Sequence, residues 1–213
     1  VQKRIAGKSD MISFAAGLPD PALYPLEDLR KAADTMLEKE GATAFAYGLT
    51  KGYGPLLDYL TDRMNNREHV ECTKENICIL SGSQQGLGLA AMTFLDEGDV
   101  VITENPSYLG AINAFRPYGA EFVGVDTDDD GIVIEDLERA LEENPKTKLI
   151  YVIPNFQNPT GKAWTLERRE CFMEVVSKYD VAVVEDNPYG DLRFKGEPLP
   201  HLRAPVSYTH LTL

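Results

Sequence analysis

The chain lacks the marks of a secreted, disulfide-stabilised or membrane-spanning protein. It has three cysteines, Cys72, Cys78 and Cys171, without the spacing of a metal site or a disulfide framework. An odd count of this kind favours a reducing cytoplasm. No apolar run approaches the ~20 residues that a membrane-spanning helix needs, and no apolar signal-peptide core follows the basic N-terminus. The sequence therefore predicts a cytoplasmic protein without a membrane partner.

Positive charge is also scarce, since 21 basic residues stand against 34 acidic ones and the net charge is −13. A nucleic-acid partner needs a basic surface, so this balance argues against one. A local anion site stays compatible with it, because backbone N–H groups at a helix start bind phosphate without net positive charge. The glycine-rich fingerprints of dinucleotide and nucleoside-triphosphate sites are missing as well.

Apolar runs and helical patterns alternate from residue 76 onward. The predicted strands are 77–80, 100–103, 121–125, 148–153 and 181–184, and the helices between them are 84–95, 108–118, 134–143 and 166–179. Strands separated by single helices predict parallel βαβ units. Apolar runs without alternation indicate strands buried on both faces. We therefore expect an α/β fold with a mostly parallel central sheet and helices on both faces.

The N-terminal part has a different composition. Residues 11–25 carry three prolines and a glycine, which predicts an extended arm. Helices are expected at 26–40, ended by Gly41, and at 55–66. The predicted organisation is an arm at 1–25, one large domain at 26–204 and a divergent tail at 205–213.

The most informative stretch runs from Val181 to Tyr189. A buried strand ends there in Glu185-Asp186-Asn187-Pro188-Tyr189. In open α/β sheets, ligands bind outside the carboxyl ends of the strands, so a carboxylate at this place is positioned for chemistry. The alternative is that Asp186 and Asn187 only open a turn before Pro188.

Three other loops follow predicted strands in the same way. Ser81-Gly82-Ser83-Gln84 would place the free N–H groups of Ser83, Gln84 and Gln85 around a phosphate; alternatively, Ser83 is only a helix N-cap. Asn105-Pro106-Ser107-Tyr108 brings a ring that could stack on a planar cofactor or simply pack. Pro154 to Gly161 forms a rigid loop that presents Asn158, although Asn-Pro is also an ordinary turn starter.

In this order, the motifs resemble those of the class I and II pyridoxal-phosphate aminotransferases. They are Tyr47-Gly48, Gly82-Ser83-Gln84, Asn105-Pro106-Ser107-Tyr108, Asn158-Pro159-Thr160-Gly161 and Asp186-Asn187-Pro188-Tyr189. Ile12 to Pro19 and Phe156 to Gly161 resemble the branch with 2-aminoadipate, aromatic and branched-chain aminotransferases. The resemblance covers about residues 11–204. The same module forms the effector domain of MocR-type transcription regulators, which is the alternative function.

The resemblance implies a fold-type I large domain that binds pyridoxal 5'-phosphate. The cofactor contacts that it implies are Ser83 and Gln84 to the phosphate, Tyr108 stacked on the ring, Asn158 and Tyr189 to the phenolic oxygen and Asp186 to the ring nitrogen. Tyr47 would reach the cofactor phosphate of the partner subunit, which implies a homodimer with shared sites. Gly17 and Leu18 would cover the entrance for the amino-acid and 2-oxo-acid substrates.

The chain departs from the family pattern after Asp186. The family's Schiff-base lysine lies well beyond this aspartate, and the chain ends at Leu213 with Lys195 as its only later lysine. Lys195 lies in a predicted surface turn, so we assign no catalytic residue and expect this chain to be an N-terminal fragment that is inactive by itself. The MocR alternative requires a basic winged helix before Val1.

Overall fold

The computed structural model describes residues 19–203 and the backbone of residues 210–212. The chain groups into two compact units, residues 1–48 and 49–213. In the first unit, the helix α1 covers Leu26–Glu40 and ends at Gly41, whose φ of 53° suits a glycine. The apolar side chains Leu26, Leu29 and Leu37 of α1 are exposed. The predicted arm falls mostly outside the described residues.

The second unit is built on a sheet that is entirely parallel. Its elements are α2 (Gly54–Asn66), α3 (Ser83–Phe94), β1 (Val100–Asn105), α4 (Leu109–Phe115), β2 (Glu121–Asp126), α5 (Ile134–Glu143), β3 (Thr147–Val152), α6 (Leu166–Val176), β4 (Ala182–Glu185) and β5 (His210–Thr212). In the described part of the chain the sheet has five strands in the order β2-β1-β3-β4-β5. The predicted α/β class is confirmed. Within the described residues, every helix is too short or too polar to cross a bilayer.

Both faces of the sheet are buried under helices. Successive strand residues point to opposite sides, so each strand contributes side chains to both faces. On one side, Ile102, Ile150 and Val183 pack against α5 and α6; we call this the α5/α6 face. On the other side, Val101 and Tyr151 pack against α3 and α4; this is the α3/α4 face. The core therefore has two layers of helices around one sheet, as the uninterrupted apolar runs predict.

The predicted strand at 77–80 is wrong for this structure. The segment has one backbone bond to another segment, from Ile79 N to Lys51 O at 2.8 Å, and no ladder partner among the described residues. An apolar run becomes a strand only where a neighbour completes its hydrogen bonds, and that neighbour is not encoded in the run itself.

Two helices are also shorter than predicted. The helix expected at 108–118 is α4 followed by a 3-10 turn at Arg116–Tyr118. Pro117 lacks the N–H group that would continue the α-helical ladder. α6 ends at Val176 rather than at 179. β5 lies inside the stretch expected to be a divergent tail, and residues 204–209 and 213 lie outside the described residues.

Candidate active site

Asp186 directly follows β4, and its N–H continues the sheet by donating to Val152 O at 2.9 Å. Its carboxylate is buried, with 3% of the residue exposed, and its Oδ2 accepts a hydrogen bond from the Tyr151 hydroxyl at 2.7 Å. Burial raises the pKa of Asp186, and the bond from Tyr151 opposes that rise in part. In the described residues, no side chain donates to Oδ1, so its capacity to accept a hydrogen bond is left unused by those side chains.

Tyr151 was missed by the sequence analysis. It lies on β3 opposite Val184 and belongs to the α3/α4 face. Phe115 packs edge-on against it, with 5.9 Å between ring centroids. Burial, followed by the neighbouring charge of Asp186, raises the pKa of Tyr151 far above its ordinary value. The hydroxyl therefore stays protonated and acts as a donor.

Glu185 faces the opposite side of the sheet and is fully buried. Its Oε1 lies 2.9 Å from His201 Nδ1, and its Oε2 accepts from Leu202 N at 3.0 Å. Burial lowers the pKa of His201, but the bond and charge of Glu185 outweigh it, so the net direction is upward. Glu185 thus connects the segment after β4 to the sheet.

A second missed residue, Arg169, supports the loop after β3. Its buried guanidinium donates to Pro154 O at 3.0 Å and to Asn155 Oδ1 at 2.8 Å. Asn155 Nδ2 in turn donates to Asn187 Oδ1 at 2.9 Å. These bonds connect the loops that follow β3 and β4. Both loops carry predicted site residues, so Arg169 fixes the distance between them.

Glu104, near the end of β1, connects this strand to the loop that follows β3. Its side chain accepts from Ile153 N and from Trp164 Nε1, both at 2.9 Å. Only 1% of the residue is exposed, and this burial raises its pKa from 4.5 to about 7 against the opposing effect of hydrogen bonding from Ile153, Trp164 and Gln157. A carboxylate directly after the apolar residues of the predicted strand at 100–103 is the sequence signal that could have identified it.

Asn158 and Tyr189 meet where the loops after β3 and β4 approach each other. Asn158 Nδ2 lies 3.4 Å from the Tyr189 hydroxyl, a long hydrogen bond between two half-buried side chains. Both Tyr189 and Tyr108 pack against the α3/α4 face cluster. The Tyr108 ring lies over Gly110, where a Cβ atom would come within 2.3 Å of the ring. Four predicted residues, Asp186, Asn158, Tyr189 and Tyr108, are therefore associated with the same ends of the parallel strands.

The start of α3 has free backbone donors. Gly82 takes the cap position with φ 84°, so Ser83 is the first helical residue and not the N-cap that the alternative interpretation expected. The N–H groups of Ser83 and Gln84 have no acceptor in the described part of the chain. The third expected donor, Gln85 N, is instead bonded to Gly82 O at 3.1 Å. That part of the phosphate prediction is wrong.

A cavity of about 690 Å³ joins the start of α3 to the turn after β4. Gly82, Ser83, Asn155, Asn187 and Pro188 line it. Asp186, Tyr108 and Asn158 do not line it. The structure therefore places Ser83 and the turn after Asp186 around common space, whereas Gln84, the other predicted phosphate residue, and Asp186 do not line it.

The remaining predicted residues belong to the first unit. Tyr47 is fully exposed, so its contact with a partner subunit stays a prediction. Gly17 and Leu18 lie outside the described residues. Near Tyr108, Ser107 Oγ is the one buried side-chain polar atom without a hydrogen-bond partner among the residues that the structure describes. Such an atom is usually satisfied by water or by a ligand.

The parallel sheet covered on both faces, with polar loops at the carboxyl ends of its strands, defines an α/β protein with one ligand edge. The chain belongs to the aminotransferase class I and II family, which it matches over residues 9–209. It is 42% identical over 205 residues to the aromatic-amino-acid aminotransferase 1 of Thermococcus litoralis, covering 94% of this chain and 49% of that protein.

Solved structures give the same result. The kynurenine aminotransferase of Pyrococcus horikoshii, solved with PMP, superimposes with a TM-score of 0.91 at 37% identity, covering 99% of this chain and 53% of that one. The alpha-aminoadipate aminotransferase of Thermus thermophilus, solved with N-(5'-phosphopyridoxyl)-L-leucine, gives 0.83 at 38% identity, covering 92% and 48%. The resemblance to the aromatic and 2-aminoadipate branch is confirmed. The chain spans about half the length of these relatives.

Proposed function

We propose that the protein transfers an amino group between an amino acid and a 2-oxo acid with pyridoxal 5'-phosphate, and that these 213 residues supply the ring and phosphate contacts of the cofactor. The observation that supports the proposal best is Asp186, a buried carboxylate at the carboxyl end of β4 with one oxygen held by Tyr151 and the other without a side-chain donor among the described residues. A protonated ring nitrogen is the partner that such a carboxylate stabilises.

The other residues fit the same group. Free N–H groups at the start of the 12-residue helix α3 suit a phosphate dianion. The amide of Asn158 and the hydroxyl of Tyr189 suit a phenolic oxygen, because both can donate to it. Tyr108 offers a ring for stacking, and the unpaired Ser107 Oγ offers a further polar contact.

When bound, the cofactor supplies an electron sink for the substrate Cα carbanion. Asp186 maintains that property by holding the ring nitrogen in its protonated form. Asn158 and Tyr189 would hold the phenolic oxygen by hydrogen bonds, and Tyr108 would offer its ring for stacking. Tyr108 and Tyr189 pack against the apolar α3/α4 face, which limits the access of water on that side of the site.

Covalent attachment needs a lysine amine, and no lysine of the described residues forms a hydrogen bond or ion pair with Asp186, Asn158 or Tyr189. Lys162, the lysine nearest in sequence to Asn158, donates to Asp128 O at 2.8 Å instead. We therefore propose that the 213-residue chain binds the cofactor without a covalent bond and does not complete a transamination cycle.

Absorbance titration of the purified chain with pyridoxal 5'-phosphate tests the proposal. We expect saturable binding that the Asp186→Asn variant weakens at least tenfold, because an amide cannot pair with a protonated ring nitrogen as a carboxylate does. Asp180→Asn is the matched control, since it removes an exposed carboxylate before the opposite end of β4. Equal affinity of both variants and the wild-type chain would contradict the assignment.

Borohydride reduction followed by mass spectrometry tests the absence of a covalent bond. We expect no stoichiometric phosphopyridoxyl adduct on any lysine and no turnover with amino-acid and 2-oxo-acid pairs. An adduct at one lysine, or steady turnover by the 213 residues, would overturn this part of the proposal.

The effector domain of a MocR-type regulator stays the alternative prediction, because it would use the same cofactor contacts. Measured binding of duplex DNA by the natural protein, including any sequence before Val1, separates the two functions. Specific DNA binding would favour the regulator, and turnover without DNA binding would favour the enzyme.

A further inference from the structure

The contact between Tyr151 and Asp186 joins two side chains that the sheet buries together. The Tyr151 hydroxyl donates to Asp186 Oδ2 at 2.7 Å, and no other side chain of the described residues donates to this carboxylate. Tyr151 is 0% exposed, and the Phe115 ring packs against it. The phenol has little room to rotate away, so the bond is part of the folded sheet.

Among the described groups around this pair, Tyr151 is the one that stabilises the ionised carboxylate of Asp186. The helices α3 and α4, which cover this face, contain no ionisable residue. Glu104 and Tyr108 lie on the β1 side of the pair, and their negative charge contributes to the raised pKa of Tyr151. Glu185, Asp186's neighbour in the chain, points to the opposite face. Among the described side chains, a single hydroxyl thus stabilises the ionised form of Asp186.

We propose that the Tyr151 hydroxyl determines whether the proton shared by Asp186 and the cofactor ring nitrogen resides on the nitrogen or on the carboxylate. Tyr151 is then a positioning residue. The inference rests on the proposed function, because it assigns the free Oδ1 to that nitrogen. By donating to Oδ2, the phenol stabilises the carboxylate and shifts the proton toward the nitrogen. Without this donor, the proton moves toward Asp186, and the ring loses part of the positive charge that makes it an electron sink.

The first measurement needs no cofactor. NMR titration of the chain labelled with ¹³C in the aspartate carboxyl carbons gives the pKa of Asp186, and the Asp186→Asn variant identifies its signal. We expect Tyr151→Phe to raise that pKa by about one to two pH units, the effect of losing one hydrogen bond to a charged acceptor. Tyr118→Phe is the control, because Tyr118 packs against the same cluster and makes no hydrogen bond to Asp186. An unchanged Asp186 pKa in Tyr151→Phe overturns the inference.

A second substitution keeps the shape of the side chain. Replacing Tyr151 by 3-fluorotyrosine makes the phenol more acidic and hence a stronger donor, so the pKa of Asp186 should fall. This opposite sign separates hydrogen bonding from a packing defect, which would act in one direction for both substitutions. It also provides the test if Tyr151→Phe fails to fold. A rise or no change with fluorotyrosine contradicts the inference.

The last measurement uses ¹⁵N-labelled pyridoxal 5'-phosphate bound to the chain. We expect the ring-nitrogen shift of a protonated pyridine with the wild-type chain, and a move toward the unprotonated shift with Tyr151→Phe. If the wild-type chain does not bind the cofactor, the proposed function fails while the Asp186 titration still reports on Tyr151. If it binds and Tyr151→Phe leaves the ring shift unchanged, the inference fails and the proposed function stands.

Discussion

Replacing Glu104 by Gln should change how the stability of the chain depends on pH. The pKa of Glu104 rises from 4.5 to about 7 in the folded chain, chiefly because the carboxylate is buried. An acid with a raised folded pKa binds more protons in the native state than in the unfolded state. Its contribution to stability is therefore complete below about pH 4.5 and is lost as the pH rises through about 7. This rise in pKa corresponds to a change of about 3 kcal/mol in the free energy of unfolding.

The measurement is urea unfolding of the wild-type chain and of Glu104→Gln between pH 4 and pH 9. Other groups titrate in this range, so the informative quantity is the difference in unfolding free energy between the two proteins. Between pH 4 and pH 9 we expect the wild-type chain to lose about 3 kcal/mol of stability relative to Glu104→Gln, because Gln does not titrate. A difference that is constant with pH would show that the donors Ile153 and Trp164 compensate fully for burial.

Two other predictions concern stability at neutral pH. Arg169→Ala should lower the free energy of unfolding, measured with urea, by about 3 kcal/mol or more, because Pro200 O loses its donor at 2.9 Å and Asn155 Oδ1 keeps only the longer contact from Arg193 at 3.4 Å. Arg139→Ala, which removes an exposed arginine on α5, should lower it by less than about 0.5 kcal/mol. Equal costs would refute the role of Arg169. Gly131→Ala should destabilise by more than about 2 kcal/mol, since its Cβ would lie 2.7 Å from the Trp164 ring at φ 130°. Gly88→Ala, inside α3 with no neighbour within 4 Å of its Cβ, should stabilise by about 0.5–1 kcal/mol in thermal unfolding, and the same sign at both glycines would contradict the geometry.

The sequence predicts those parts of the fold that depend on local apolar patterns. The strands β1, β3 and β4 are apolar runs buried on both faces, and the structure reproduces them within two residues at each end. The segment 77–80 has the same kind of pattern and forms no strand, because strand formation also needs a partner. The local sequence does not show which segment will lie beside a strand, and for this reason the strand predicted at 77–80 is wrong.

The supporting residues of the site were harder to predict than the residues that contact a ligand. Arg168 and Arg169 are adjacent residues of the same type, yet Arg168 pairs with the half-exposed Asp128 and Arg169 is buried. A helical count would have separated them, because Arg169 lies three and four positions before the buried Phe172 and Met173. Asn155 has no such signal, since its importance comes from a bond to Asn187, 32 positions along the chain.

The separation of Glu185 and Asp186 onto opposite faces follows from the register between β3 and β4. Tyr151 pairs with Val184, so the residue two positions after Val184 points to the same face as Tyr151. That residue is Asp186, and Glu185 must then point toward His201 and Leu202. A slip of one residue would exchange the two acids and place Glu185 beside the phenol. The sequence shows both carboxylates but not the register, and only the register identifies Asp186 as the acid that Tyr151 can hold for a ligand.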